Sequence, residues 1–270
     1  MEQSLARAGL RIGDPRQLCR LQSTMNRLFA GLVTLLALTA SAAPAPLRVL
    51  FVGNSHTAVN NVPELVRQIG IARGVQLEVD RITASGATLE DHVKSGSVKQ
   101  RLETKPFSAV VLQEQSGRQV LEVDAYEASA RTLAASARAN KARVFIYMGW
   151  TQQETVKQYG YTQRNWTDSA LRVARAIGAG VAPAGEAWLY AKRRDEALPL
   201  QQSDGNHATY AGSYVAASAI FYALTGVSPL GAAAKLSSLR LAPADAAKLE
   251  QAALDASLAL EPSFRQPLKR

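Results

Sequence analysis

The feature that most constrains this chain is a set of short, almost wholly apolar runs separated by polar or amphipathic stretches of helical length. Residues 47–52 read LRVLFV, 107–112 read FSAVVL and 143–148 read RVFIYM. Runs of this length suit strands better than helices, and near-continuous apolarity means that both faces are covered. The segment 75–82 alternates apolar and polar residues as a strand would, and 181–184 reads as a further short strand. The intervening pieces carry helix punctuation. Helix 61–73 has Pro63 at its start and Gly74 past its end, 124–139 follows the second apolar run, and Gly178 closes 167–177. An apolar helix at 208–224 is closed by Gly226 and Pro229, and an Ala-rich helix occupies 243–258. The polar stretch 151–166, with Tyr159, Tyr161 and Trp166, reads as a loop or lid. Strands alternating with helices give βαβ units, hence an α/β chain with a parallel sheet and helices on both faces. Such sheets bind ligands beyond the C-terminal ends of their strands, so the loops after Val52, Ile82, Leu112 and Met148 should carry the chemistry.

Composition narrows the classes. The 270 residues are 47% hydrophobic and 20% charged, which excludes disorder, collagen and coiled coil. The single Cys, Cys19, excludes a disulfide framework and any Cys-cluster metal site. The apolar run 28–38 follows Arg27 and precedes TASAAPAP at 39–46, in which Ala40-Ser41-Ala42 fits a signal-peptidase site. We therefore expect 1–42 to be an export signal, with 1–24 an over-extended start ahead of Met25, and 43–270 to be one mature domain that is secreted or periplasmic. The apolar run is short of the roughly 20 residues that span a bilayer, so no stable membrane insertion is expected after cleavage. Removing 1–42 takes away five Arg and two acids, which lowers the formal charge from +9 to +6. The remaining basic residues are scattered, the longest run being Lys192-Arg193-Arg194, and do not form the stripe of a nucleic-acid binder.

The loop after the first strand reads Gly53-Asn54-Ser55-His56-Thr57. A Ser between a buried strand and a helix start is well placed as a nucleophile, but its hydroxyl needs a base. The chain has three His, namely His56, His92 and His207. His56 adjoins the Ser and should point away from it, and His92 lies in a charged segment expected to be exposed. His207 closes Ser203-Asp204-Gly205-Asn206-His207 ahead of the apolar helix, and Asp204 three residues earlier can fold back onto its ring. Attack on an acyl carbon creates an oxyanion that needs donors. The Ser55 N–H, the N–H of Gly86 in the loop Ala84-Ser85-Gly86-Ala87, and the side-chain amide of Gln113 are the candidates. Asn54, His56, Glu114 and Trp150 are expected to line the substrate pocket. The GxSxG elbow is absent, since Thr57 stands at its second Gly position.

Taken in order, GNSHT around Ser55, ASGAT around Gly86, VVLQEQS around Gln113 and SDGNHAT around Asp204 and His207 resemble the four blocks of the SGNH (GDSL-type) hydrolases. The resemblance spans about 47–226. It implies a flavodoxin-like three-layer α/β/α sandwich, a Ser-His-Asp triad and acyl-ester chemistry without a cofactor. Two positions depart from that pattern: Asn54 replaces the usual Asp before the Ser, and Gln113 replaces the usual Asn. The expectation is a serine esterase acting on short acyl groups of a small-molecule or glycan ester. Acyl transfer to a glycan and a non-catalytic envelope binding module on the same scaffold are its alternatives. A metal-dependent phosphoesterase would use Asn54, His56, Asp204, Asn206 and His207. It lacks the second carboxylate cluster of a two-metal site, and no metal is expected.

Overall fold

The structure is a computed structural model that describes residues 45–269. The expected export signal, with Cys19, lies outside the described residues. Five parallel strands form one sheet: β1 (Leu47–Gly53), β2 (Leu77–Thr83), β3 (Ala109–Leu112), β4 (Arg143–Tyr147) and β5 (Gly180–Ala182). Their order across the sheet is β2-β1-β3-β4-β5. This is the flavodoxin-like order, and it reverses direction between β1 and β3. In register, Val52 lies beside Ile82 on one side and Leu112 on the other, so the ends of β1, β2 and β3 open at one rim.

Helices cover both faces, which explains the continuous apolar runs. Val49 and Phe51 of β1 pack into one core with α2 (Val62–Ala72), α9 (Ala184–Arg194), α10 (Tyr210–Thr225) and α11 (Pro243–Ala259). Leu50 and Val52 face the other core, built with α3 (Leu89–Ser95), α4 (Ser97–Thr104), α6 (Val123–Ala139) and α8 (Gln163–Ile177). All four of these β1 side chains are fully buried. The alternation read at 75–82 has a different cause. Strand β2 is an edge strand, and Glu78 and Arg81 reach solvent. The fold class is therefore the expected three-layer α/β/α sandwich.

The remaining α-helices among the described residues are short: α1 (Ser55–Ala58), α5 (Arg118–Leu121) and α7 (Gln153–Tyr159). Residues 151–166 are thus not an open loop. They contain α7 and the first turn of α8, with Trp166 fully buried. Among the described residues, no helix is long and apolar enough to cross a membrane.

Candidate active site

Ser55 is the first residue of α1, directly beyond the end of β1. Asn54 makes the turn possible. Its Oδ1 accepts from the His56 N–H at 3.0 Å, and its Nδ2 donates to the Ala87 carbonyl at 3.0 Å. A carboxylate there could accept the first bond but could not donate the second, so the Asn couples the nucleophile turn to the loop after β2. Gly53 is required by space, because a Cβ would lie 2.4 Å from Gln113 Oε1. At the start of a helix the Ser55 N–H has no intrahelical acceptor and remains free to bind an anion.

The partner of Ser55 comes from the far end of the chain. Ser55 Oγ donates to His207 Nε2 at 2.8 Å across 152 positions. His207 Nδ1 in turn donates to Asp204 Oδ2 at 2.6 Å. The other carboxylate oxygen of Asp204 accepts from the Asn206 N–H at 2.9 Å and the His207 N–H at 3.0 Å, so one side chain both shapes the loop and orients the ring. Gly205 takes φ +67 between them, and a Cβ on it would meet Gln153 Oε1 at 2.6 Å. The hydrogen bond from the His207 ring, then that from the Asn206 N–H, holds the Asp204 carboxyl down at about 2. The arrangement leaves Nε2 of His207 as the acceptor, poised to take the Ser55 proton.

The expected third oxyanion donor is corrected. Gln113 is 2% exposed and faces inward. Its Oε1 accepts from the Asn54 N–H and from Thr57 Oγ1, both at 2.9 Å, and its Nε2 donates to the Glu114 carbonyl. The extra methylene relative to Asn lets the amide reach back under the β1 turn, where it ties β3 to the nucleophile loop. Gln113→Asn should therefore gain no rate. It should lose about 1–3 kcal/mol by stranding the buried Asn54 N–H. Urea denaturation beside kcat on the same preparation checks this, and a faster enzyme would show that the amide does reach substrate. Gly86, unlike Gln113, has its N–H unengaged among the described residues. It is exposed at φ +67, and a Cβ on it would meet nothing within 4 Å.

The expected pocket residues are corrected as well. Asn54, His56 and Glu114 are each at most 4% exposed and face inward, while Trp150, 1% exposed, borders a cavity it shares with Gln153, Trp188 and Gln201. Glu114 Oε1 accepts from the Leu89 and Gln115 N–H groups, pinning the start of α3 to the loop after β3, and burial pushes its carboxyl pKa up. His56 stacks on Trp150 at 4.6 Å, and Trp150 on Trp188 at 4.2 Å. Burial pushes His56 down to about 4, so it is neutral at physiological pH. His92 was expected at the surface but is 4% exposed, and its Nε2 donates to the Gly53 carbonyl at 2.8 Å. A signal for this was present: Leu89 and His92, three apart, share the buried stripe of α3. Asn206 and Trp188 drew no weight as contributors to the triad's frame, since nothing in the sequence shows which groups lie under the His207 loop.

No protein-family model matches this chain, and no curated protein is similar to it by sequence. Solved structures do match. A protein from Slackia heliotrinireducens assigned to the SGNH hydrolases is 26% identical, with a TM-score of 0.57 over 66% of this chain and 98% of its own. The chain shares its fold with the SGNH hydrolases. A DUF4886 family protein from Bacteroides uniformis shares the fold at a TM-score of 0.70 and 20% identity, over 80% of this chain and 96% of its own. A lipase/acylhydrolase from Enterococcus faecalis shares it at 0.51 and 18% identity, over 65% of this chain and 93% of its own. Ser55 thus stands at the end of β1 and Gly86 in the loop after β2, and the Asp204–His207 loop between α9 and α10 meets Ser55 there. The block at Gln113 has turned inward as a structural tie.

Proposed function

We propose that this protein is an SGNH-type serine esterase that removes short acyl groups from accessible esters, with Ser55 as nucleophile, His207 as base and Asp204 as the orienting acid. One observation carries the reading, the continuous hydrogen-bonded chain from Ser55 Oγ through the His207 ring to Asp204. In the first half-reaction Ser55 Oγ attacks the ester carbonyl while Nε2 takes its proton, and the imidazolium is stabilised by the Asp204 carboxylate. The tetrahedral oxyanion is held by the Ser55 and Gly86 N–H groups. Collapse expels the alcohol, which receives the proton from Nε2 and leaves an acyl-Ser55. Water, deprotonated by the same nitrogen, then releases the acid and restores the hydroxyl. These steps need no metal, and among the described residues no three His, Cys, Asp or Glu side chains cluster as ion ligands.

The triad stands at the surface, with the Asp204 side chain 45% exposed and that of His207 29% exposed. An open rim suits an acyl group carried on a bulky alcohol such as a sugar, and export directed by 1–42 would place the enzyme among envelope and extracellular glycans. A panel of p-nitrophenyl esters and acetylated sugars, run beside Ser55→Ala, tests the proposal. We expect hydrolysis that falls steeply with acyl length and is lost in Ser55→Ala, together with fluorophosphonate labelling that peptide mass mapping assigns to Ser55. Unchanged turnover in Ser55→Ala would end this reading. N-terminal sequencing of the exported protein, expected to begin near residue 43, tests the compartment.

A further inference from the structure

The two dipeptides that meet at the site, Ser55-His56 and Asn206-His207, are joined twice. Ser55 Oγ donates to His207 Nε2 at 2.8 Å, and one residue along on each side His56 Nε2 meets Asn206 Oδ1 at 3.0 Å. An amide oxygen only accepts, so His56 must carry its proton on Nε2. Asn206 is also held from below by its main chain, since its carbonyl accepts from Trp150 Nε1 at 2.9 Å. The same Trp150 lies between His56 and Trp188 in a near-parallel stack, with interplanar angles of 9° and 6°. Trp188 Nε1 donates to the Gly212 carbonyl in the first turn of α10, the helix that follows the His207 loop.

We propose that His56 and Asn206 are positioning residues that set the Ser55–His207 separation, with the Trp150–Trp188 stack as their footing. The inference rests on the esterase reading above. Its physical basis is that the His207 loop is otherwise held at an exposed rim. Asp204 shapes that loop internally, but does not tie it to the nucleophile turn. The His56–Asn206 bond is a side-chain tie that runs in parallel with the reacting pair, nearer to it in the chain than the bond from Asn60 Nδ2 to the Ala208 carbonyl at 3.3 Å. A ring clamped by stacking has little freedom, so the bond fixes distance as well as contact. Displacing catalytic groups by about 1 Å can cost about 10²-fold in rate.

The test uses the mature protein with p-nitrophenyl acetate and fluorophosphonate labelling. His56→Phe keeps the stack and removes the donor. Asn206→Leu removes the acceptor and leaves the stack untouched. Each should lower kcat about 10–100-fold with KM within about twofold, slow labelling of Ser55 in proportion, and leave the protein folded at the assay temperature, with a melting temperature lowered by about 2–12 °C for the one buried polar group left unpaired. His56→Gln, which returns an N–H at similar reach, should recover at least about tenfold over His56→Phe. The double variant should be no slower than the worse single one, as expected of two halves of one contact. Three results would overturn the inference: kcat retained in Asn206→Leu, additive losses in the double variant, or a loss in His56→Phe that only follows a lowered melting temperature and is not rescued by Gln. An unsubstituted protein that neither hydrolyses ester nor labels at Ser55 would overturn the esterase reading itself, and this inference with it.

Discussion

Replacing His207 with alanine is expected to lower kcat for ester hydrolysis by about 10⁴-fold while leaving the protein folded. The rate effect follows from the only base in reach. Ser55 Oγ is bonded to His207 Nε2, and the other near histidine, His56, has its Nε2 proton committed to Asn206. The stability effect is small because the His207 side chain is partly exposed and bonds only to Ser55 and Asp204. Asp204→Asn should cost a comparable factor for another reason. Its amide N–H would turn toward Nδ1, and the ring would then carry its proton on Nε2, where it cannot accept from Ser55. Because Asp204 is held at about 2, the carboxylate is already ionised throughout the range in which activity is assayed. Titration of residue 204 itself should accordingly contribute nothing to the pH dependence from about pH 5 to pH 9. Steady-state kinetics across that range, with circular dichroism as the folding control, checks both variants. An Asp204→Asn enzyme that regains full rate at high pH would contradict the tautomer argument.

Gly185→Ala should produce the largest loss of stability of any single methyl addition considered. A Cβ at this position would sit 1.9 Å from the Gly149 carbonyl oxygen, 2.2 Å from Gln163 Nε2 and 2.8 Å from the Gly149 carbonyl carbon. Two of the three obstacles are backbone and cannot rotate aside. That backbone is itself anchored: Gly149 N–H donates to Gln119 Oε1 at 3.0 Å, its carbonyl accepts from Gln163 Nε2 at 3.0 Å, and Gly185 N–H donates to the Met148 carbonyl at 3.1 Å. The start of α9 would have to move off the end of β4. Overpacking against fixed groups costs typically 1–3 kcal/mol and here should reach about 3 kcal/mol or more. In a chain of this size that lowers the melting temperature by roughly 6–12 °C. Because Trp150 follows Gly149 directly, activity should fall as well. A melting temperature within about 2 °C of the unsubstituted protein would show that α9 shifts freely.

The sheet was legible because parallel strands covered on both faces leave uninterrupted apolar runs, as at Val49–Val52, where every side chain is buried. Ser55 was legible at the end of a strand, and Asp204 and His207 by their close spacing in the loop ahead of α10. The direction of a polar side chain was not. Gln113, at the end of β3, has the residue type of a donor and the position of one, yet its amide reaches back under the turn. His92 was hidden by its charged neighbours Asp91 and Lys94, which occupy the other side of a short helix. The helices within 84–106 and 151–166 escaped notice because seven or eight residues give barely two turns of periodicity.

The long separation between the nucleophile and its base has a consequence for when this protein becomes competent. A chain made only as far as residue 200 would contain Ser55 and all five parallel strands, but not the His207 ring that bonds to the Ser55 hydroxyl. On the proposed esterase reading, products that end before residue 207 should be inert toward esters. Under that reading, competence requires the first three quarters of the polypeptide, through His207. Recovery of turnover on dilution from denaturant would time the docking of the final loop, independently of any signal from the sheet.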